Sequence, residues 1–184
     1  MAPHIALHEI GEPFESHLVS FAKKEQRSPD YLALNMEGKV PTLVVDGRPL
    51  TEVVAILFYL AKRYPEAGLL PAGDIESEAH AISWMSFVAS TVHSAWAARR
   101  TSPDQAMNAF RTADARLGSR EWAIGRYSIA DIHLFRLFWR FRRAVQPTSD
   151  EFPNLERHYV RMIARPAVQR TVEVEAAIGY ELPG

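Results

Sequence analysis

The sequence has no cysteine among its 184 residues, which excludes disulfides, thiolate metal sites and a cysteine nucleophile within it. It has no long apolar run. Its most apolar stretch, residues 51–64, is interrupted by Glu52, Lys62 and Arg63 and falls short of the roughly 18 apolar residues a membrane span needs. It has no surplus of one charge: 21 Lys and Arg against 22 Asp and Glu leave a net charge of −1, so no global field draws the chain to nucleic acid or to an anionic membrane. The nine glycines form neither a Gly-rich phosphate loop nor a Gly-x-Ser-x-Gly elbow. Met1–Glu9 lacks the basic and apolar regions of a signal peptide, which makes a cytoplasmic setting the default expectation.

What is present is ordinary globular material, 47% hydrophobic and 23% charged. Pro65 closes a helical pattern, and Leu69-Leu70-Pro71-Ala72-Gly73-Asp74 reads as a linker. It divides the chain into residues 1–68 and 75–184. The part up to Asp74 is slightly acidic, with 7 Lys and Arg against 10 Asp and Glu; the remainder has 14 against 12.

The first part mixes helix and strand. Pro3–Ile10 reads as a helix stopped by Gly11. Phe14–Ser20 reads as a short strand, and Ser28–Leu34 as a loop or short helix. Val40–Val45 reads as a strand with Pro41 at its entry. Asp46-Gly47 signals a hairpin turn, Arg48-Pro49-Leu50 returns, and Thr51 is placed to cap a helix over Glu52–Arg63. The second part reads as all helix: one long helix over Ile75–Arg99, then 103–118, 128–145, Asn154–Ala164 and Val168–Ala177.

Several residue patterns carry chemistry, each beside a plainer alternative. Ser128-Ile129-Ala130-Asp131 has capping-box spacing, a structural device. Lys39-Val40-Pro41-Thr42-Leu43 is either a plain edge strand or, with a cis proline, an edge that pairs with an extended peptide. Thr51-Glu52-Val53 opens a helix, so it is either an ordinary acidic first turn or a site where backbone N–H groups hold a carboxylate and Glu52 holds an ammonium group. Ser86 and His93, seven apart on one helix, would share a face. His4 and His8 sit four apart with no evident third ligand, so a metal site is not expected. Arg136, Arg140 and Arg143 line one helical face with Arg142 beside it; they read as a solvated or ion-paired face or as a phosphate contact. Trp84, Phe87, Trp96, Phe135, Phe138 and Trp139 read as core.

In order and spacing, Lys39–Leu43, Leu50-Thr51-Glu52 with its helix to Tyr59-Leu60-Ala61, the linker at Leu70-Pro71, the Ser128–Asp131 box, Phe152-Pro153-Asn154-Leu155 and Arg165-Pro166-Ala167-Val168 resemble the cytosolic glutathione transferases. Trp84 and His93 on the long helix resemble the bacterial beta-type members. The resemblance implies a thioredoxin-like N-terminal domain followed by an all-helical bundle, an α/β plus all-α chain, and usually a homodimer. It implies binding of glutathione as co-substrate, with attack of its thiolate on a small electrophile. The other readings are a non-catalytic binding module of the same fold and a glutathione-dependent disulfide reductase.

Residue by residue, the resemblance assigns the Val40 backbone to the cysteinyl part of glutathione, with Pro41 as the cis proline. Glu52 takes the γ-glutamyl amine, the Val53 N–H its carboxylate, and Lys39 the glycyl carboxylate. Ser86 and His93 approach the thiol. Trp96 and Arg100 are candidates for the electrophile wall. Val53 stands where many members have Ser, and Met36 replaces a common Pro. Members begin with a strand and a turn carrying the catalytic Tyr, Ser or Cys, whereas this sequence begins inside the following helix. The expectation is a true start upstream by about a dozen residues, one strand and a turn, with no catalytic residue assignable in the chain itself.

Overall fold

A computed structural model describes residues 1–179. Helix α1 covers Ala2–Ile10 and ends at Gly11, whose φ of 83° donates its N–H to the Leu7 carbonyl in a left-handed cap. A 3₁₀ turn over Glu25–Arg27 leads to α2, Pro29–Leu34, where the Ser28 side chain accepts from the Tyr31 N–H. Strands β1 (Thr42–Val45) and β2 (Arg48–Thr51) pair antiparallel, Thr42 opposite Thr51 and Val45 opposite Arg48. Asp46 and Gly47 both have positive φ, 50° and 75°, the geometry of a two-residue I′ hairpin. Helix α3 follows over Val53–Arg63.

The remaining helices are α4 (Ile75–Phe87), a π-helical segment over Val88–His93, α5 (Ser94–Ala97), α6 (Pro103–Leu117), α7 (Ile129–Val145), α8 (Pro153–Ile163) and α9 (Pro166–Ala177). Among the described residues no helix is long and apolar enough to cross a membrane.

Four expectations need correction. Phe14–Ser20 is not a strand: among the described residues β1 and β2 pair only with each other, so no ladder reaches this segment, and a strand without a partner leaves its backbone groups unpaired. Phe14 instead covers the rings of His4 and His8, at 5.7 and 5.1 Å between centroids. Thr51 is not the cap of α3; it ends β2, and Glu52 occupies the N-cap with no side-chain capping bond. The long helix is not uniformly α. Ser90 donates its hydroxyl to the Ser86 carbonyl at 2.8 Å, and Ser94 reaches the Ala89 carbonyl at 3.5 Å. Side-chain competition of this kind distorts the α ladder, and the segment widens to π at that point. Finally, Arg140 is not solvated: it is 9% exposed, because α7 runs through the middle of the bundle.

That central position shows in its burial. Ile132, Leu134, Phe135, Leu137, Phe138 and Phe141 are all fully buried. Phe110 stacks on Phe141 at 4.1 Å, and Trp96 meets both edge-on. Trp84, Trp96, Phe135, Phe138 and Trp139 lie in the core as expected, with Phe87 at its margin. The linker joins the core too. Leu69 and Leu70 are buried, and the Leu69 carbonyl accepts the N–H of Ile129 at 2.9 Å.

The start of α7 is a capping box. The Ser128 hydroxyl accepts from the Ala130 N–H, and Asp131 accepts from the Ser128 N–H at 2.9 Å. Asp131 also accepts from the Ala123 N–H at 2.8 Å and pairs with His158 Nε2 at 3.1 Å. Asp131→Ala strands these buried donors, so the expected loss is about 3 kcal/mol or more, read as a lower urea midpoint with an unchanged m-value.

Candidate functional site

The hairpin register builds the site. Because Thr42 pairs with Thr51, the residues just before β1 lie beside those just after β2, which brings Val40-Pro41 next to Glu52-Val53. The Val40–Pro41 peptide bond is cis. Val40 is 39% exposed and stands outside the β1–β2 ladder. The Lys39 carbonyl is anchored from the other side by the Tyr31 hydroxyl at 2.6 Å and Asn35 Nδ2 at 2.8 Å. The Tyr31 hydroxyl also meets Thr42 Oγ1 at 2.9 Å. Residues 39–42 are thereby held by α2 and the turn after it, a support that sequence reasoning did not single out. The signal was present in Asn35, a polar residue that is buried and four residues before Lys39.

Glu52 has φ 68° and ψ 121°, a left-handed conformation that a non-glycine residue rarely adopts. Among the described residues no side chain caps the start of α3, so its first-turn N–H groups lie open beside the exposed Glu52 carboxylate. Donors and a carboxylate side by side suit a ligand that carries both a carboxylate and an ammonium group. Lys39 pairs with Glu37 at 2.5 Å, and this pairing, with a contribution from nearby Glu52, raises its pKa. Lys39 is therefore a fixed positive charge.

On the helical side, His93 ends the π segment and is half-buried. Burial, then Arg136, Arg140 and Lys39 around it, push its pKa down from 6.5 to about 4. His133, fully buried on α7, is driven to about 3 by burial, Arg136 and His93. Both rings are neutral at neutral pH. Lys39 and His93 thus belong to one electrostatic neighbourhood, although they come from opposite ends of the chain's organisation. Ser86 is exposed, two residues before the π segment. The widened turn between them alters the seven-residue alignment with His93 that an ideal α-helix would give. His4 and His8 face Phe14, and His4 Nδ1 pairs with Glu175 at 2.8 Å. Among the described residues no group of three or more His, Asp or Glu is placed to hold a metal ion.

Two substitutions test this geometry. Glu52→Gly should raise stability by about 1 kcal/mol by relieving the left-handed backbone, whereas Glu52→Ala should not; thermal denaturation separates them. The second concerns acid. The unfolded chain binds a proton at His93 near pH 6.5, and the folded chain resists it until about pH 4. Stability from this group is full above 6.5 and falls as pH drops toward 4. The melting temperature of His93→Gln should therefore decline less over that interval than that of the parent protein.

Residues 1–62 match the family model described as "Glutathione S-transferase, N-terminal domain", and residues 79–166 match "Glutathione S-transferase, C-terminal domain". Glutathione S-transferase GstA of Escherichia coli O157:H7 is 31% identical over 188 residues, covering 95% of this chain and 93% of that protein. Glutathione S-transferase GST-4.5 of Xanthomonas campestris is 34% identical over 194 residues, with the same coverage of each. Among solved structures, a sphingomonad glutathione S-transferase complexed with glutathione superposes with a TM-score of 0.84 at 32% identity, covering 95% of this chain and 93% of that one.

Proposed function

The chain belongs to the glutathione S-transferase family, and on that premise we propose that it binds glutathione and transfers its thiolate to a small electrophile. The observation that carries this reading is the juxtaposition of Val40-Pro41 with Glu52-Val53 across the hairpin end. An extended tripeptide laid along this edge meets, in order, a backbone to pair with and a helix start flanked by a carboxylate. In this reading Val40 pairs with the cysteinyl unit, with Pro41 as the cis residue. Glu52 holds the γ-glutamyl ammonium group, the Val53 N–H holds its carboxylate, and Lys39 holds the glycyl carboxylate. Val53 has no hydroxyl, so only its backbone contributes.

His93 is the auxiliary group at the thiol. Its low pKa gives it a specific role: a neutral imidazole stabilises a thiolate by donating an N–H hydrogen bond, without a full positive charge. Arg136 and Arg140 supply positive potential from α7 behind it. Ser86 contributes at the outer edge. We assign residues 1–68 to the glutathione-binding domain and 75–184 to the helical domain that shapes the electrophile pocket. The setting we propose is bacterial and cytoplasmic, with detoxification as the role. A homodimer is favoured by exposed Phe58 in the middle of α3 and Ile75 at the start of α4, which are large apolar side chains left in water.

Retention on immobilised glutathione, followed by conjugation kinetics, tests the assignment. Glu52→Gln should lower retention about tenfold or more, the loss of one charge-assisted pair. His93→Ala should leave retention near the parent level and lower kcat, with the bound thiol titrating at higher pH by its ultraviolet absorbance. Retention that is indifferent to Glu52→Gln removes the ligand pose. Retention without turnover in the parent chain replaces the enzyme reading with a binding module.

A further inference from the structure

The Lys39 carbonyl is held by two donors. The Tyr31 hydroxyl donates to it at 2.6 Å and Asn35 Nδ2 at 2.8 Å. A carbonyl oxygen has two lone pairs, so this pair of donors fixes its direction, toward the end of α2. The Thr42 hydroxyl lies 2.9 Å from the Tyr31 hydroxyl. Since Tyr31 gives its one proton to Lys39, Thr42 is the donor in that contact. Bonds in series of this kind polarise and strengthen one another.

The frame behind these donors is set locally. The Ser28 hydroxyl accepts the Tyr31 N–H at 3.2 Å, which fixes Tyr31 in the first turn of α2. Asn35 closes that helix. Its Oδ1 accepts the Glu37 N–H at 3.1 Å, and its carbonyl accepts the Gly38 N–H at 2.9 Å. Gly38, with φ 62°, passes so near residue 26 that a Cβ on it would stand 2.7 Å from the Gln26 carbonyl oxygen. The chain therefore enters Lys39 along one path.

The consequence falls on the next residue. The Lys39–Val40 peptide bond is trans, so its N–H points opposite to its carbonyl. With the carbonyl aimed at Tyr31 and Asn35, the Val40 N–H is aimed away from them. Among the described residues no backbone acceptor meets it.

We propose that Tyr31 is a positioning residue for the ligand: through the Lys39 carbonyl, its hydroxyl aims the Val40 N–H at the backbone of an extended peptide. The inference rests on the glutathione reading above, in which Val40 pairs with the cysteinyl unit. Tyr31 itself touches no ligand in this arrangement. Without its hydroxyl, one donor is lost and the Lys39–Val40 peptide plane gains freedom that binding must then remove. The groups at the thiol are untouched, so ground state and transition state weaken alike, which raises KM and leaves kcat unchanged. Asn35 shares the task but is buried and also shapes the turn. Tyr31 is half-buried, and Phe in its place keeps the ring and removes only the hydroxyl.

Three measurements on the parent chain and Tyr31→Phe test this: calorimetric titration with glutathione, conjugation kinetics with 1-chloro-2,4-dinitrobenzene, and amide hydrogen exchange at Val40. Tyr31→Phe should bind glutathione about fivefold more weakly and show KM for glutathione raised by a similar factor, with kcat and melting temperature unchanged. Saturating glutathione should slow exchange of the Val40 amide about tenfold in the parent and less than about threefold in Tyr31→Phe. Asn35→Ala should weaken binding and lower the melting temperature together. Unchanged affinity and Val40 protection in Tyr31→Phe overturn the proposal. So does a fall in kcat together with the melting temperature, which makes the hydroxyl a contact of the fold alone. An Asn35→Ala chain that melts lower but binds as the parent does also overturns it. A parent chain that binds no glutathione overturns the glutathione reading and this inference with it, whereas a parent that binds while Tyr31→Phe binds equally overturns this inference alone.

Discussion

Asp131 has no exposed surface, and a carboxylate is tolerated there because donors converge on both of its oxygens. One oxygen takes the Ala123 N–H and the ring of His158; the other takes the Ser128 N–H and hydroxyl. This single side chain joins the loop before α7, the start of α7 itself, and α8. The arrangement is all-or-nothing, since removing the acceptor leaves several buried donors facing one another. Helix α7 then supplies the surface on which the rest is assembled. The Ile129 N–H pins the linker at Leu69, and α1, α3, α4, α8 and the π segment all pack on α7. A second clasp closes near the same end: Glu9 on α1 accepts two bonds from Arg165 and one from the Tyr127 hydroxyl, with the Arg165 guanidinium 3.5 Å from the Tyr127 ring centre. The placement of the β1–β2 hairpin relative to the helices therefore traces back to polar groups gathered at the foot of α7.

The same logic explains which parts of the fold were legible in the sequence. Helix ends and turns with a local chemical signature were readable: Gly11, Ser128-Asp131 and the hairpin turn Asp46-Gly47 act through their own side chains or their own φ. Elements that depend on a distant partner were not. Phe14–Ser20 alternates like a strand, but a strand is a pairing, and pairing is a property of two segments. The π segment arises from hydroxyls competing for carbonyls within one helix, and apolar periodicity does not register such competition. Arg140 looked solvated because charge is the ordinary mark of a surface; only the position of α7 between other helices buries it.

The site divides along the same line. Lys39, Val40, Pro41, Glu52 and Val53 form one local unit, so their proximity follows from the hairpin register and needs no tertiary information beyond it. His93 differs. Its distance in sequence from Lys39 hides their common neighbourhood, and its neutrality is set by α7, through Arg136 and Arg140 and through burial. In place, the His93 ring stays uncharged over the physiological range. The first group is set by the hairpin and the second by its surroundings on α7, and the packing of α3 on α7 brings the two together.

This division also gives the π segment a physical meaning. In a uniform α-helix from Ile75 to Arg99, His93 and Trp96 would fall at positions fixed by Trp84 and Met85, which are already committed to the core. Widening the helix over Val88–His93 changes the angular register of everything after it. The downstream stretch can then direct His93 toward Lys39, Arg136 and Arg140 while Trp96, one turn later, enters the aromatic cluster of Phe110 and Phe141. π-segments concentrate where function asks for a side-chain direction that the α repeat does not supply. Here the direction is shared between two requirements, a neutral imidazole on one side and a closed aromatic core on the other, and the hydroxyls of Ser90 and Ser94 supply the local chemistry that permits both.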